Sequence, residues 1–184
     1  MELRIGIFGS SDIEPPEVLS KAVHLGEVLN KYSVLLMTGA CSGLPYAVAA
    51  AANDKRKWGF SPVGTYEEQM RFTPDDDVSI YEKVIFVPDT FPYHKTLSAS
   101  KKYRNVVSTA SCDGGIILGG KWGTLNELSN LIDMGKPIGI LLGTGGIVDE
   151  VAALVDRLDP NKKALLIFEE DPEKLVQQLV GEIK

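Results

Sequence analysis

Residues that bind transition metals are scarce in this 184-residue chain, which has two cysteines, Cys41 and Cys112, and two histidines, His24 and His94. The cysteines lie far apart and match no zinc-ligand spacing, and two histidines leave little for a zinc site or a histidine-based triad. No metal is expected, and the cysteines read as small buried thiols rather than a disulfide. Long apolar runs are missing too. None approaches the roughly 20 residues that a membrane-spanning helix needs, so no membrane contact is expected. Positive charge is in deficit: the formal net charge of −6 argues against sequence-independent binding to DNA or RNA, which relies on clustered Lys and Arg. A local basic pocket for one phosphate stays open. Two familiar nucleotide motifs are absent. Gly6-Ile7-Phe8-Gly9 does not form G-x-G-x-x-G, and no G-x-x-x-x-G-K-[ST] occurs, which moves NAD-dependent and ATP-hydrolysing enzymes down the order. Met1 to Gly9 enters a strand without a basic leader, and a cytoplasmic protein is the expectation.

What the chain has is a regular alternation of short apolar runs with amphipathic stretches. Strands are expected at 3–8, 33–37, 59–64, 83–87, 114–118, 137–142 and 164–168. Helices are expected between them: from Pro15-Pro16 to about Lys31, in the alanine-rich stretch after Gly43, from His94 to Ala110, from Thr124, from Gly146 to about Leu158, and from Pro172 to Ile183. The pattern fades from Thr65 to Glu82, which reads as a surface excursion with one helical turn at most; Asp75-Asp76-Asp77 within it reads as a solvated run. Strands separated by helices imply parallel pairing with right-handed crossovers. The expected fold class is α/β: one Rossmann-like three-layer domain over 1–184, with a central parallel sheet of about seven strands and helices on both faces.

In such a sheet, ligands sit beyond the carboxyl ends of the strands, near the point where strand order reverses. Four strands here run into small-residue turns: Gly9-Ser10-Ser11, Gly39 to Gly43 including Ser42, Gly119-Gly120-Lys121-Trp122-Gly123, and Gly143 to Gly146. Small residues let the backbone approach an anion, and the following helix presents unpaired N–H groups and a partial positive charge. Glycine is also a cheap way out of a strand, so one such turn says little. The most informative segment is Gly119-Gly120-Lys121-Trp122-Gly123-Thr124-Leu125-Asn126-Glu127. Its plain reading is a capping box, with Thr124 as N-cap and Glu127 reaching back. In the sharper reading Thr124 and the amides near Gly123 hold phosphate while Glu127 faces the ligand.

This segment resembles the P-G-G-x-G-T-x-x-E signature of the Lonely Guy family, whose superfamily includes molybdenum-cofactor carrier proteins. Gly9-Ser10-Ser11, Thr38-Gly39 followed by Ser42-Gly43-Leu44, and Arg104-Asn105 match in order, so the resemblance spans about Ile5 to Gly146. It implies a site for a nucleoside 5′-monophosphate, with no further cofactor, in a homodimer or homotetramer. For hydrolase members it implies cleavage of the N-glycosidic bond by an arginine and the motif glutamate, here Arg104 and Glu127. The phosphate would lie near Gly120, Gly123 and Thr124, with Gly9, Ser10, Ser11, Gly39, Ser42, Gly43, Gly119 and Lys121 around the ligand. The chain departs from the pattern at Gly119 for proline, Lys121 for glycine, Asn105 for lysine, and Gly39-Ala40 for a glycine pair. Three readings follow: a phosphoribohydrolase, a non-catalytic carrier of a nucleotide or of molybdenum cofactor, and a degenerate member without a ligand.

Overall fold

The computed structural model describes residues 2–53, 56–159 and 161–183. Its seven strands are β1 (Leu3–Gly9), β2 (Val34–Thr38), β3 (Arg56–Phe60), β4 (Lys83–Ile85), β5 (Gly114–Leu118), β6 (Ile138–Leu141) and β7 (Leu166–Glu169). They form a single parallel sheet in the order β4-β3-β2-β1-β5-β6-β7. The helices are α1 (Pro16–Leu29), α2 (Leu44–Ala51), α3 (Tyr66–Phe72), α4 (Leu97–Ser111), α5 (Trp122–Asp133), α6 (Val148–Leu158) and α7 (Pro172–Glu182). No helix among the described residues is long and apolar enough to cross a membrane.

The apolar runs resolve into two faces because successive strand side chains point to opposite sides. Ile5 and Ile7 of β1, Leu36 of β2, and Ile116 and Leu118 of β5 meet Leu25 of α1, Val48 of α2 and Leu175 of α7. Phe8, Met37 and Ile117 from the same strands meet Leu128 and Leu131 of α5 and Val151 of α6 on the other face, with Val107 of α4 against them. Each such fully buried side chain contributes about 1.5–3 kcal/mol, so the sheet is held rigidly from both sides. That rigidity fixes the strand ends, where the loops are.

The structure corrects several expected boundaries. The third strand lies at 56–60 rather than 59–64, and the fourth stops at Ile85 instead of Val87. The fourth helix starts at Leu97, because residues 91–96 form successive turns closed by bonds such as His94 N to Phe91 O. The largest correction falls in the excursion. Helix α3 runs two turns, and a 3-10 turn follows at Val78–Ile80. Asp76 and Asp77 are engaged rather than merely solvated: Ser42 Oγ donates to Asp76 at 2.8 Å, and Asp77 accepts from Ser79 N at 2.9 Å.

Candidate functional site

Strand order reverses between β1 and β5. The chain leaves β1 toward β2 on one side and leaves β5 toward β6 on the other, so the two exit loops diverge and open a crevice. A cavity of about 330 Å³ occupies it. One wall is the β1 exit, Gly9, Ser10 and Ser11, together with Gly39 and Ser42 from the β2 exit. Arg104 packs closely on Gly39: a Cβ there would stand 1.6 Å from Nη1, so the guanidinium would have to shift to admit one. The facing walls come from α4, with Arg104, and from the start of α5, with Gly120, Lys121, Gly123, Thr124 and Glu127.

The start of α5 differs from the expected capping box. The helix begins at Trp122, three residues before the start that would make Thr124 its N-cap, and no side chain caps it. The physical cause is Gly119-Gly120, whose φ values of +53° and +85° turn the chain sharply out of β5. A Cβ on Gly120 would also fall 2.1 Å from Thr124 Oγ1, so the loop and the first helical turn interlock. Thr124 is thereby the third residue of the helix and Glu127 the sixth. The first-turn amides are left without a side-chain partner beside the cavity, where the helix dipole is most positive.

Two predicted residues stand behind the wall and do not line it. Gly43 sits where Leu44 N donates to Ser10 O at 2.9 Å, and Gly119 N donates to Thr144 Oγ1 at 2.9 Å. The Gly143–Gly146 turn, expected on the same rim, is a buttress: besides Thr144, Ile147 N donates to Gly120 O at 2.9 Å. Lys121 reaches across the mouth to Asp12, with Nζ to Oδ2 at 2.8 Å. Trp122, 80 % exposed, lies outside the cavity, over an apolar groove between α5 and α6 with Leu125 and Leu158. Stacking of Trp122 on a base in this cavity is therefore not supported.

Arg104 and Glu127 share the cavity. Arg104 Nη1 donates to Gly39 O at 2.5 Å and lies 3.7 Å from Cys41 Sγ, so it bridges α4 to the β2 exit. Its Nε is buried without a partner. Glu127 is 6 % exposed, and among the described residues no hydrogen bond reaches its carboxyl. Burial pushes that carboxyl from 4.5 up to about 7, against the opposing pull of Arg104 and Lys102. Next to Arg104, Asn105 donates from Nδ2 to Asn126 Oδ1 at 3.0 Å, while its buried Oδ1 has no partner. Cys41, Ser98, Lys101, Lys102 and Asn105 also line the cavity, and sequence reasoning did not place them there. A signal existed for four of them: 98, 101, 102 and 105 follow the i, i+3, i+4, i+7 spacing of one helix face. Among the described residues, no group of three or more His, Cys, Asp or Glu side chains could hold a metal ion.

The fold and the crevice define a Rossmann-like α/β protein open at the switch point of its sheet. The profile of the SLOG cluster4 family matches residues 2–176, and the chain belongs to that family. No curated protein matches it. Solved structures share the fold. The molybdenum cofactor binding protein of Rippkaea orientalis superposes with a TM-score of 0.75 at 19 % identity, covering 100 % of this chain and 99 % of that one. The molybdenum cofactor carrier protein of Chlamydomonas reinhardtii gives 0.71 at 19 %, covering 99 % and 100 %. DNA processing protein A of Helicobacter pylori, described with a single-stranded DNA binding mode, gives 0.71 at 17 %, covering 100 % and 82 %.

Proposed function

We propose that this chain binds a small nucleotide-type molecule through its phosphate, in the crevice between β1 and β5. One observation carries the reading: the uncapped first turn of α5 opens onto the same cavity as Arg104 and Glu127. An anionic group there would meet free peptide amides and a positive dipole end, and the guanidinium would supply charge-assisted bonds. The carrier reading is the primary one. Arg104 is already committed to Gly39 O, and Asn105 stands where hydrolase relatives of the Lonely Guy type have lysine. A molybdenum-bearing ligand, suggested by the names of two structural neighbours, would be held through its organic and phosphate parts. Among the described residues the cavity offers the Cys41 thiol and the carboxylates of Asp12 and Glu127, with no cluster of three or more His, Cys, Asp or Glu that could hold a metal ion.

A second reading, the N-glycosidic hydrolase, is favoured by one feature, the buried and unpartnered carboxyl of Glu127 poised near neutrality. In that reaction the C1′–N bond of the nucleotide breaks and the base leaves with a proton. A water oxygen bonds C1′, and the ionised carboxylate stabilises the positive charge that develops on the ribose. A small ligand is preferred over nucleic acid because the basic groups line a cavity of about 330 Å³ in a chain of net charge −6. A homodimer or homotetramer is retained as part of the proposal, checked by light scattering.

The test is calorimetric titration of the protein with AMP, GMP, CMP and UMP, with chromatography for free base. Binding without base release supports the carrier. Base release abolished by Glu127→Gln supports the hydrolase. Arg104→Ala should weaken nucleotide affinity by about tenfold to a hundredfold, the worth of one or two charge-assisted bonds. Unchanged affinity in a variant that keeps its circular dichroism would remove Arg104 from the site.

A further inference from the structure

We infer that the cavity selects a nucleotide with a second phosphoryl group, a nucleoside diphosphate rather than a monophosphate, and that Lys101 and Lys102 hold the outer phosphate. The inference rests on the nucleotide-binding reading above and deepens it.

Ser98, Lys101, Lys102 and Asn105 form one stripe along α4, and all four line the cavity. The two lysines are adjacent, and Arg104 is two residues further on. Among the described residues neither lysine has a carboxylate within ion-pair distance. In a chain with more acids than bases, an unpaired cationic stripe facing a cavity is a site waiting for an anion.

Lys101 Nζ lies 5.4 Å from the centroid of the Phe72 ring, a cation–π contact with α3. Lys102 is near enough for its charge to act on Glu127. A second, independent feature also asks for a ligand. Asn105, 2 % exposed, lines the cavity at the inner end of the stripe with its Oδ1 unpartnered, so it can accept from a ligand donor. The stripe belongs to α4 and the amide cradle to α5, so the two positive loci occupy separate walls. One phosphate would use the cradle alone and leave the lysines uncompensated. A diphosphate would engage both walls, with its hydroxyl-bearing ring beside Glu127 and Asn105.

The experiment compares AMP and ADP in calorimetric titrations of the full chain and of Lys101→Met/Lys102→Met. Methionine keeps the stem that packs on Phe72 and removes the charge, and melting temperature checks the fold. The wild type should bind ADP about tenfold more tightly than AMP, one or two charge-assisted contacts being worth that much. The double variant should bring the two ligands within about threefold of each other, the larger loss falling on ADP. Equal affinity for AMP and ADP in the wild type, or a parallel loss of both in the variant, overturns the second subsite while nucleotide binding stands. Failure of the wild type to bind either nucleotide removes the underlying reading itself.

Discussion

The pattern Thr-x-x-Glu occurs at the start of two helices, and the chain uses it in opposite ways. At α3, Thr65 Oγ1 accepts from Glu68 N at 3.2 Å, and Glu68 Oε2 accepts from Thr65 N at 3.1 Å and from Gly64 N at 2.9 Å. The box is closed, exposed and structural. At α5 the positive-φ pair Gly119-Gly120 brings the chain into the helix early, so Thr124 lies inside the first turn and, among the described residues, Glu127 makes no hydrogen bond back to it. The same four-residue spelling leaves one helix start satisfied by its own side chains and the other unsatisfied beside a cavity. What decides between them is the backbone before the threonine, and an unsatisfied helix start next to a buried carboxyl is the one that wants a ligand.

Substitutions at the two helix starts should therefore move stability in opposite directions. The larger effect belongs to Glu127. Its carboxyl is pushed from 4.5 up to about 7, so the folded state holds the proton that the unfolded chain releases. The folded state is thus favoured most below pH 4.5, and that advantage is lost as pH rises through 7. At pH 8 the buried charge costs about 3 kcal/mol relative to a neutral side chain. Glu127→Gln should therefore raise the unfolding free energy in urea at pH 8 by about that amount and leave it nearly unchanged at pH 4. A variant less stable than the wild type at pH 8 would show that Glu127 is held by the fold and not reserved for a ligand.

The closed box gives the smaller and opposite result. Thr65→Ala should lower stability by about 1 kcal/mol, the usual worth of an N-cap hydroxyl, through loss of the bond from Glu68 N. Thr124→Ala removes no cap and should not reproduce this loss. Similar losses from both threonines, measured by the same urea titrations, would erase the distinction between the two helix starts.

The comparison also explains what could be read from the chain alone. The strands were legible because a parallel sheet buries both faces and so needs continuous apolar runs such as Ile5 to Phe8. Gly9, Gly39 and Gly120 were legible as places where backbone and ligand or neighbour come close. Helix α3 was not, because Gln69 is the only fully buried residue in it, and no apolar period shows. Its capping box was the available signal. The Gly143–Gly146 turn was misplaced because glycine that lets a loop brace another loop looks the same as glycine that lets a loop approach an anion. Lys101, Lys102 and Asn105 share one face of α4 with Ser98, but that this face turns into the cavity is set by the packing of α4 beside α5, a tertiary fact.

The smallest effect concerns Lys121, the residue that replaces a glycine of the signature. It is 79 % exposed at the side chain and bonds Asp12 across the mouth, so the pair should add little to stability in solvent and salt. Its consequence lies in the electrostatics of entry. Asp12 is the carboxylate that holds Lys121 over the rim, and it offsets that positive charge for an approaching phosphate. Asp12→Asn keeps the size and removes the offset. Nucleotide affinity should then rise by about twofold to fivefold at low salt and return toward the wild-type value as salt is raised toward 0.5 M. Lys121→Gly should remove the gain when combined with Asp12→Asn. An affinity that falls in Asp12→Asn, or a gain that survives without Lys121, would place Asp12 among the ligand's own contacts and make the β1 exit a larger part of the site than the start of α5.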